Sequence, residues 1–211
     1  DNFSILNSSN VNFKFYEDGK NFFFILGSLN YFVNKNIEYS KKTNINSLKN
    51  YFKGKPDWFR NSLDGAYLVI KYNQKTGITA FADKNNFRDL YYTNKNNYLI
   101  LSENISEIKK EFSTNYSKIN QLSLAHMLNV YAVYSPKKST IFKNISRLGF
   151  GEYIKCNKKF KIFKFKKNIK EIKNSSNIKD EYFKIIKNSV QKRISKRMNW
   201  VLMSSGWDTS F

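Results

Sequence analysis

A chain of 211 residues, 41% hydrophobic and carrying 19 Phe and 14 Tyr, has apolar material for one full core and part of a second. Its formal net charge of +21 comes from lysines spread through every segment among asparagines, not from clustered arginine, so nucleic acid is not expected as a partner. No run of about 18 apolar residues is present, which excludes a membrane-spanning helix, and the single cysteine excludes an internal disulfide and suits a reducing compartment such as the cytoplasm.

Val11, Phe13 and Phe15 alternate with polar residues and predict an exposed strand. No basic-then-apolar leader comes before it, so nothing supports secretion. The run Phe22–Leu26 within Asn21–Val33 is apolar at every position and predicts a buried strand. Ile45, Leu48, Tyr51 and Phe52 recur at helical spacing after Asn44, an N-cap residue type, and that helix is expected to end near Gly54 and Pro56. Ala66–Tyr72 and Ile78–Asp83 read as two strands joined by a turn through Asn73–Gly77. Leu90–Thr93 and Tyr98–Leu101 repeat the device across Asn94–Asn97.

Asn104 with Glu107 resembles a capping box and predicts a short helix ending near Phe112. Ile119–Tyr131 predicts the clearest helix, with Leu122, Leu124, Ala125, Leu128 and Val130 on or near one face. His126, the lone histidine, falls on it and is expected to be a half-buried helix residue; with one cysteine and no second histidine, a structural zinc site is not expected. Glu152–Cys156 and Phe160–Phe165 make a further hairpin, in which Cys156 reads as a small core hydrophobe. Lys166–Ile178, rich in lysine and asparagine, reads as a linker, and Tyr182, Ile185, Ile186, Ser189, Val190 and Ile194 then follow helical spacing. Hairpins with a few helices, a linker, then helix, strand and loop point to an α+β domain followed by the opening of an α/β domain.

The closing stretch carries the chemistry. Trp200–Met203 reads as a short apolar strand, followed by Ser204-Ser205-Gly206-Trp207-Asp208-Thr209-Ser210. Small residues around one glycine let backbone N–H groups converge on an anion, and the hydroxyls add donors. Asp208 can cap a following helix or help hold a metal ion. The pattern G-x-x-x-x-G-K-[ST] is absent. A polar strand–helix connection with an Asx or Ser cap accounts for the same stretch without any ligand. Trp207 can shelve against an adenine or pack onto a sheet.

Ser204–Thr209 resembles the pyrophosphate loop S-G-G-x-D-S of the asparagine synthetase superfamily, with Ser205 in place of a glycine and Thr209 in place of a serine. Three further stretches match in the expected order. Leu63–Tyr67, Phe81–Asp83 and Leu90–Tyr92 resemble L-x-G-x-F, A-R-D and P-L-Y-Y; Leu101–Ile105 resembles A-S-E-I; Ser139–Ile145 with Leu148–Tyr153 resembles T-I-F-K-G-I followed by L-P-P-G-H-Y.

The resemblance implies a four-layer αββα, Ntn-hydrolase-like amidotransferase domain over residues 1–165, a linker over 166–178, and over 179–211 the incomplete start of an α/β ATP pyrophosphatase domain. It implies an ATP- and Mg²⁺-dependent ligase that activates a small-molecule or peptide carboxylate as an acyl-adenylate. An amine or ammonia then takes the acyl group. Leu202 and Ser204, Ser205, Gly206, Trp207, Asp208, Thr209 and Ser210 would contact ATP. Asp64 and Asp83 match positions near the glutamine pocket, Asp83 being the remnant glutamine-site position, though a strand-end or turn carboxylate accounts for each. The strand expected to bear the glutaminase nucleophile, Phe22–Gly27, has no cysteine. In that respect the chain is similar to beta-lactam synthetase and the lasso-peptide cyclases, and no glutaminase activity is expected. The resemblance places the second acidic metal-binding stretch and the substrate pocket beyond Phe211, and a homodimer stays open. A non-catalytic relic and a basic nucleic-acid-binding protein are the alternative readings.

Overall fold

The computed structural model describes residues 13–33, 36–38, 63–95, 98–111, 118–131, 138–165, 177–194 and 198–201. The chain divides into two compact units, Asp1–Lys167 and Asn168–Phe211. The helix expected after Asn44 and the loop Ser204–Ser210 lie outside the described residues. The described elements are mixed α+β and mostly sheet.

In the first unit, β1 (Phe13–Asp18) and β2 (Asn21–Val33) form an antiparallel hairpin, and β3 (Asn36–Glu38) pairs with the far end of β2. β4 (Leu63–Asn73) runs along almost the whole of β2, from Asn21 opposite Asn73 to Tyr31 opposite Leu63. β5 (Gly77–Ala82) returns from it through a turn that Asn73 organises: its Oδ1 accepts the N–H groups of Lys75 at 2.9 Å and Thr76 at 3.0 Å. Gly77 closes that turn at φ +75, where a Cβ would lie 2.7 Å from Asn157 Cα.

The chain then leaves the sheet. β6 (Tyr91–Lys95), β7 (Tyr98–Ser102) and the two-residue β8 (Ser146–Arg147) build a smaller sheet in the order β7-β6-β8. β9 (Glu152–Cys156) rejoins the larger sheet beside β5, with Ile78 opposite Cys156 and Phe81 opposite Tyr153, and β10 (Phe160–Lys164) completes the order β1-β2-β4-β5-β9-β10.

The sheets meet face to face through one core. Leu68, Ala80, Ala82 and Ile154 of the larger sheet pack with Leu90, Tyr92 and Leu148, and Leu99 and Leu101 of β7 lie against the same cluster. Each such Leu or Ile side chain contributes about 1.5–3 kcal/mol on burial. On the opposite face of the larger sheet Phe23, Ile25, Val69 and Phe81 are also buried. Burial on both faces explains why β2 reads as a continuous apolar run instead of an alternation. Helix α1 (Ile105–Glu111) lies against β6 and β7 and buries Ile108.

Its start is half a capping box: Asn104 Oδ1 accepts the Ser106 N–H at 2.9 Å, but Glu107 turns to Lys110 at 2.9 Å, and the Asn104 N–H goes to Ser102 Oγ instead.

The helix expected over Ile119–Tyr131 is shorter and divided. Ile119 makes a bridge to Phe142, so the helix cannot begin before Asn120, which caps α2 (Gln121–His126) by accepting the Ser123 N–H. α2 then widens into a π-helical turn, Met127–Tyr131. Ser123 is buried, whereas Leu122 and Leu128 are 68% and 76% exposed. The bonds from Asn120 N to Ile141 O and from Lys143 N to Lys118 O orient this segment, and they override its apolar spacing. His126 ends α2 half-buried.

In the second unit α3 (Ile178–Arg193) has Asp180 and Glu181 in its first turn, the sign that suits a helix N-terminus. Met198–Val201 form no strand, and Trp200 is 86% exposed. The expected strand over Trp200–Met203 is therefore not formed at its first two residues, because strand backbone needs a partner and none pairs with it among the described residues. Among the described residues no helix is long and apolar enough to cross a membrane.

Candidate functional site

Of the site residues expected from sequence, Leu202, Ser204, Ser205, Gly206, Trp207, Asp208, Thr209 and Ser210 lie outside the described residues, as does the side chain of Asp64. Asp83 is described, and it sits at the centre of a connected assembly.

Asp83 follows β5 directly, its own N–H donating to Tyr67 O at 3.0 Å across the sheet. Its carboxylate is 2% exposed and turns back onto the loop that follows. Oδ1 accepts the N–H groups of Asn85 at 3.0 Å and Phe87 at 3.2 Å, and Oδ2 faces the N–H of Arg88 at 3.4 Å. A carboxylate that gathers backbone donors replaces the ladder bonds the chain gives up on leaving a strand. Asn86, inside this loop, takes φ +49. Its side chain donates to Leu148 O at 3.0 Å, and Leu148 N–H donates to Leu90 O at 2.8 Å. Asparagine tolerates that left-handed backbone, and the bond to Leu148 holds it there.

Arg88 then crosses to Glu103 at the end of β7, making an ion pair with it. The same side chain lies over Gly27 in β2: a Cβ at Gly27 would run into Ala66 O and the Arg88 side chain, with Cδ at 2.9 Å, on a backbone at φ +91. Glycine at 27 is thus what lets Arg88 cross. Next along the loop, Asp89 accepts from Tyr91 Oη at 3.1 Å and faces Arg147 Nη1 at 3.6 Å.

Two further stretches singled out from sequence are organised in the same way. The Thr140 hydroxyl is buried, lies 2.7 Å from Ile145 O and accepts the Phe142 N–H at 3.1 Å, which staples the turn Thr140–Ile145. Glu152 is buried at the start of β9, where Oε1 pairs with Lys138 at 2.8 Å and Oε2 accepts the Gly149 N–H at 3.1 Å.

The assembly positions loops; it does not gather reactive groups. Asp83 binds backbone N–H, and Arg88 and Arg147 each face a carboxylate. Sequence reasoning identified Asp83 but missed Arg88, Glu103, Asn86 and Gly27, since a pairing across sheets has no fixed spacing in sequence. Cys156 is half-buried and lies outside the buried core that the sequence reading expected for it, and the burial it has pushes its thiol pKa up. Burial likewise raises Tyr92, against a hydrogen bond from Ser146 and the nearby Lys138 that lower it. Among the described residues no three His, Cys, Asp or Glu side chains form a group that would hold a metal ion. No protein-family model matches the chain, and no curated protein matches it.

Proposed function

We propose that the chain is the amidotransferase-like domain and nucleotide loop of an ATP-dependent amide ligase of the asparagine synthetase type, without glutaminase activity. The observation that carries this reading is the sequence run Ser204–Ser210, which follows three earlier stretches of family-like sequence in the family's order. The two packed sheets with α1 outside the smaller one are compatible with a four-layer αββα arrangement, and β2, preceded by β1 and lacking cysteine over Phe22–Gly27, gives glutamine no thiol nucleophile.

In this reading the hydroxyls of Ser204, Ser205, Thr209 and Ser210 and the backbone N–H at Gly206 bind the pyrophosphate end of ATP. A carboxylate attacks the α-phosphorus, the bond to pyrophosphate breaks, and an amine displaces AMP from the acyl-adenylate to form an amide. Mg²⁺ would supply charge neutralisation on the departing pyrophosphate, with Asp208 as the carboxylate available in the loop. Leu202 lies beside the nucleotide. ATP binding by the native protein, lost in Gly206→Asp and Asp208→Ala variants, tests the reading; binding unchanged in both variants would overturn it.

A further inference from the structure

Lysine is so evenly spread in this sequence that composition alone gave no ground for a polyanionic partner. Strand register supplies one. β10 ends the larger sheet, and its pairing with β9 sets Lys161 opposite Lys155 and Phe163 opposite Tyr153. Alternation puts these four on one face, with Ile154 and Ile162 on the other, against the core. Like charges directly opposite each other destabilise a sheet. Among the described residues neither lysine is salt-bridged to a carboxylate, and the nearest acid in sequence, Glu152, is buried and engaged by Lys138. Lys158 and Lys159 extend the charge through the hairpin turn. Two residues along the strands, on the same face, the rings of Tyr153 and Phe163 stack, with centroids 5.4 Å apart and planes at 19°, and Phe163 is 38% exposed. Lys155 Nζ sits 5.6 Å from both centroids, covering the rings as a cation.

We propose that this outer face of the β9–β10 hairpin binds single-stranded nucleic acid. Phosphates relieve the Lys155–Lys161 repulsion, and as the Lys155 ammonium moves to a phosphate a base stacks on Phe163. An acidic peptide would use the lysines but has no need of the ring ledge. A lipid surface would need apolar side chains to insert, and the two rings here are covered by the Lys155 ammonium. The inference stands on this hairpin alone and is independent of the proposed ligase activity.

Fluorescence anisotropy with a labelled twelve-nucleotide oligouridylate, over a series of salt concentrations, tests it on the full chain. Binding should weaken with salt, and the double variant Lys155→Ala/Lys161→Ala should flatten the log–log salt slope by about 1.4, at roughly 0.7 per phosphate contact on a single strand. Phe163→Ala should weaken binding by about 5- to 150-fold, with Phe163→Leu in its place if the alanine variant fails to fold. Lys179→Ala/Lys184→Ala, which removes equal charge from α3, should leave the slope unchanged. Absence of binding, equal loss from the α3 variant, an unmoved affinity in the Phe163 variant, or equal affinity for polyglutamate or anionic phosphatidylserine vesicles would each overturn the proposal.

Discussion

Replacing Asp83 by Ala should destabilise the first unit out of proportion to the three side-chain atoms lost. The carboxylate serves three N–H groups, at 3.0, 3.2 and 3.4 Å, and Asp83 itself is 2% exposed. A buried donor left without an acceptor costs about 1–3 kcal/mol. The longest of the three contributes least, and water can reach the more exposed part of the loop, so the total expected is about 2–4 kcal/mol. For a unit of this size that lowers Tm by about 5–15 °C. Asp83→Asn keeps the Oδ1 acceptor but points an amide donor at the Arg88 N–H, and should cost about 1–2 kcal/mol. Urea unfolding of the full chain, followed by near-ultraviolet circular dichroism, measures both. If Asp83→Ala lies within about 0.5 kcal/mol of the parent, the range of ordinary surface substitutions, then the carboxylate does not organise the loop.

Three further outcomes follow from the same geometry. Gly27→Ala adds a Cβ against Ala66 O and the Arg88 side chain on left-handed backbone, and should cost about 2–4 kcal/mol in chemical denaturation; an Arg88→Ala background should recover part of that loss, since it removes one of the two obstructions. Cys156 should react slowly with iodoacetamide at pH 7–8, and its rate should climb at a pH above that of a free thiol, because burial raises its pKa; fast labelling at neutral pH would contradict the packing described. Tyr92 is raised in the folded state, so its contribution is complete below the unfolded pKa, near 10, and is lost as pH rises through the folded value. Stability should therefore fall above about pH 10, and Tyr92→Phe should flatten that alkaline limb.

Local pairing was readable where the chemistry is local. Asn73 and Gly77 mark the β4–β5 turn because each does something only that residue type does easily, and Phe22–Leu26 announces a strand buried on both faces. The return of β9 beside β5 was not readable, since the intervening residues carry no signal for which edge they will meet. The span Ile119–Tyr131 misled because its apolar spacing is real, but the backbone bonds to Ile141 and from Lys143 fix its orientation. Asp83 was found through resemblance. What it binds was not, because its partners are main-chain groups that any residues would supply. Arg88 and Glu103 stayed hidden as two ordinary charges until the fold brought them together over Gly27.

The role proposed for the hydroxyl-rich stretch Ser204–Ser210 is to bind ATP so that a carboxylate can be adenylated. Its most direct test is exchange of labelled pyrophosphate into ATP by the native protein, supplied with fractionated carboxylate-bearing small molecules and peptides from its own cells. Exchange should depend on one such fraction and disappear in Asp208→Ala. A native protein that binds no ATP in calorimetry and shows no exchange with any fraction would contradict it.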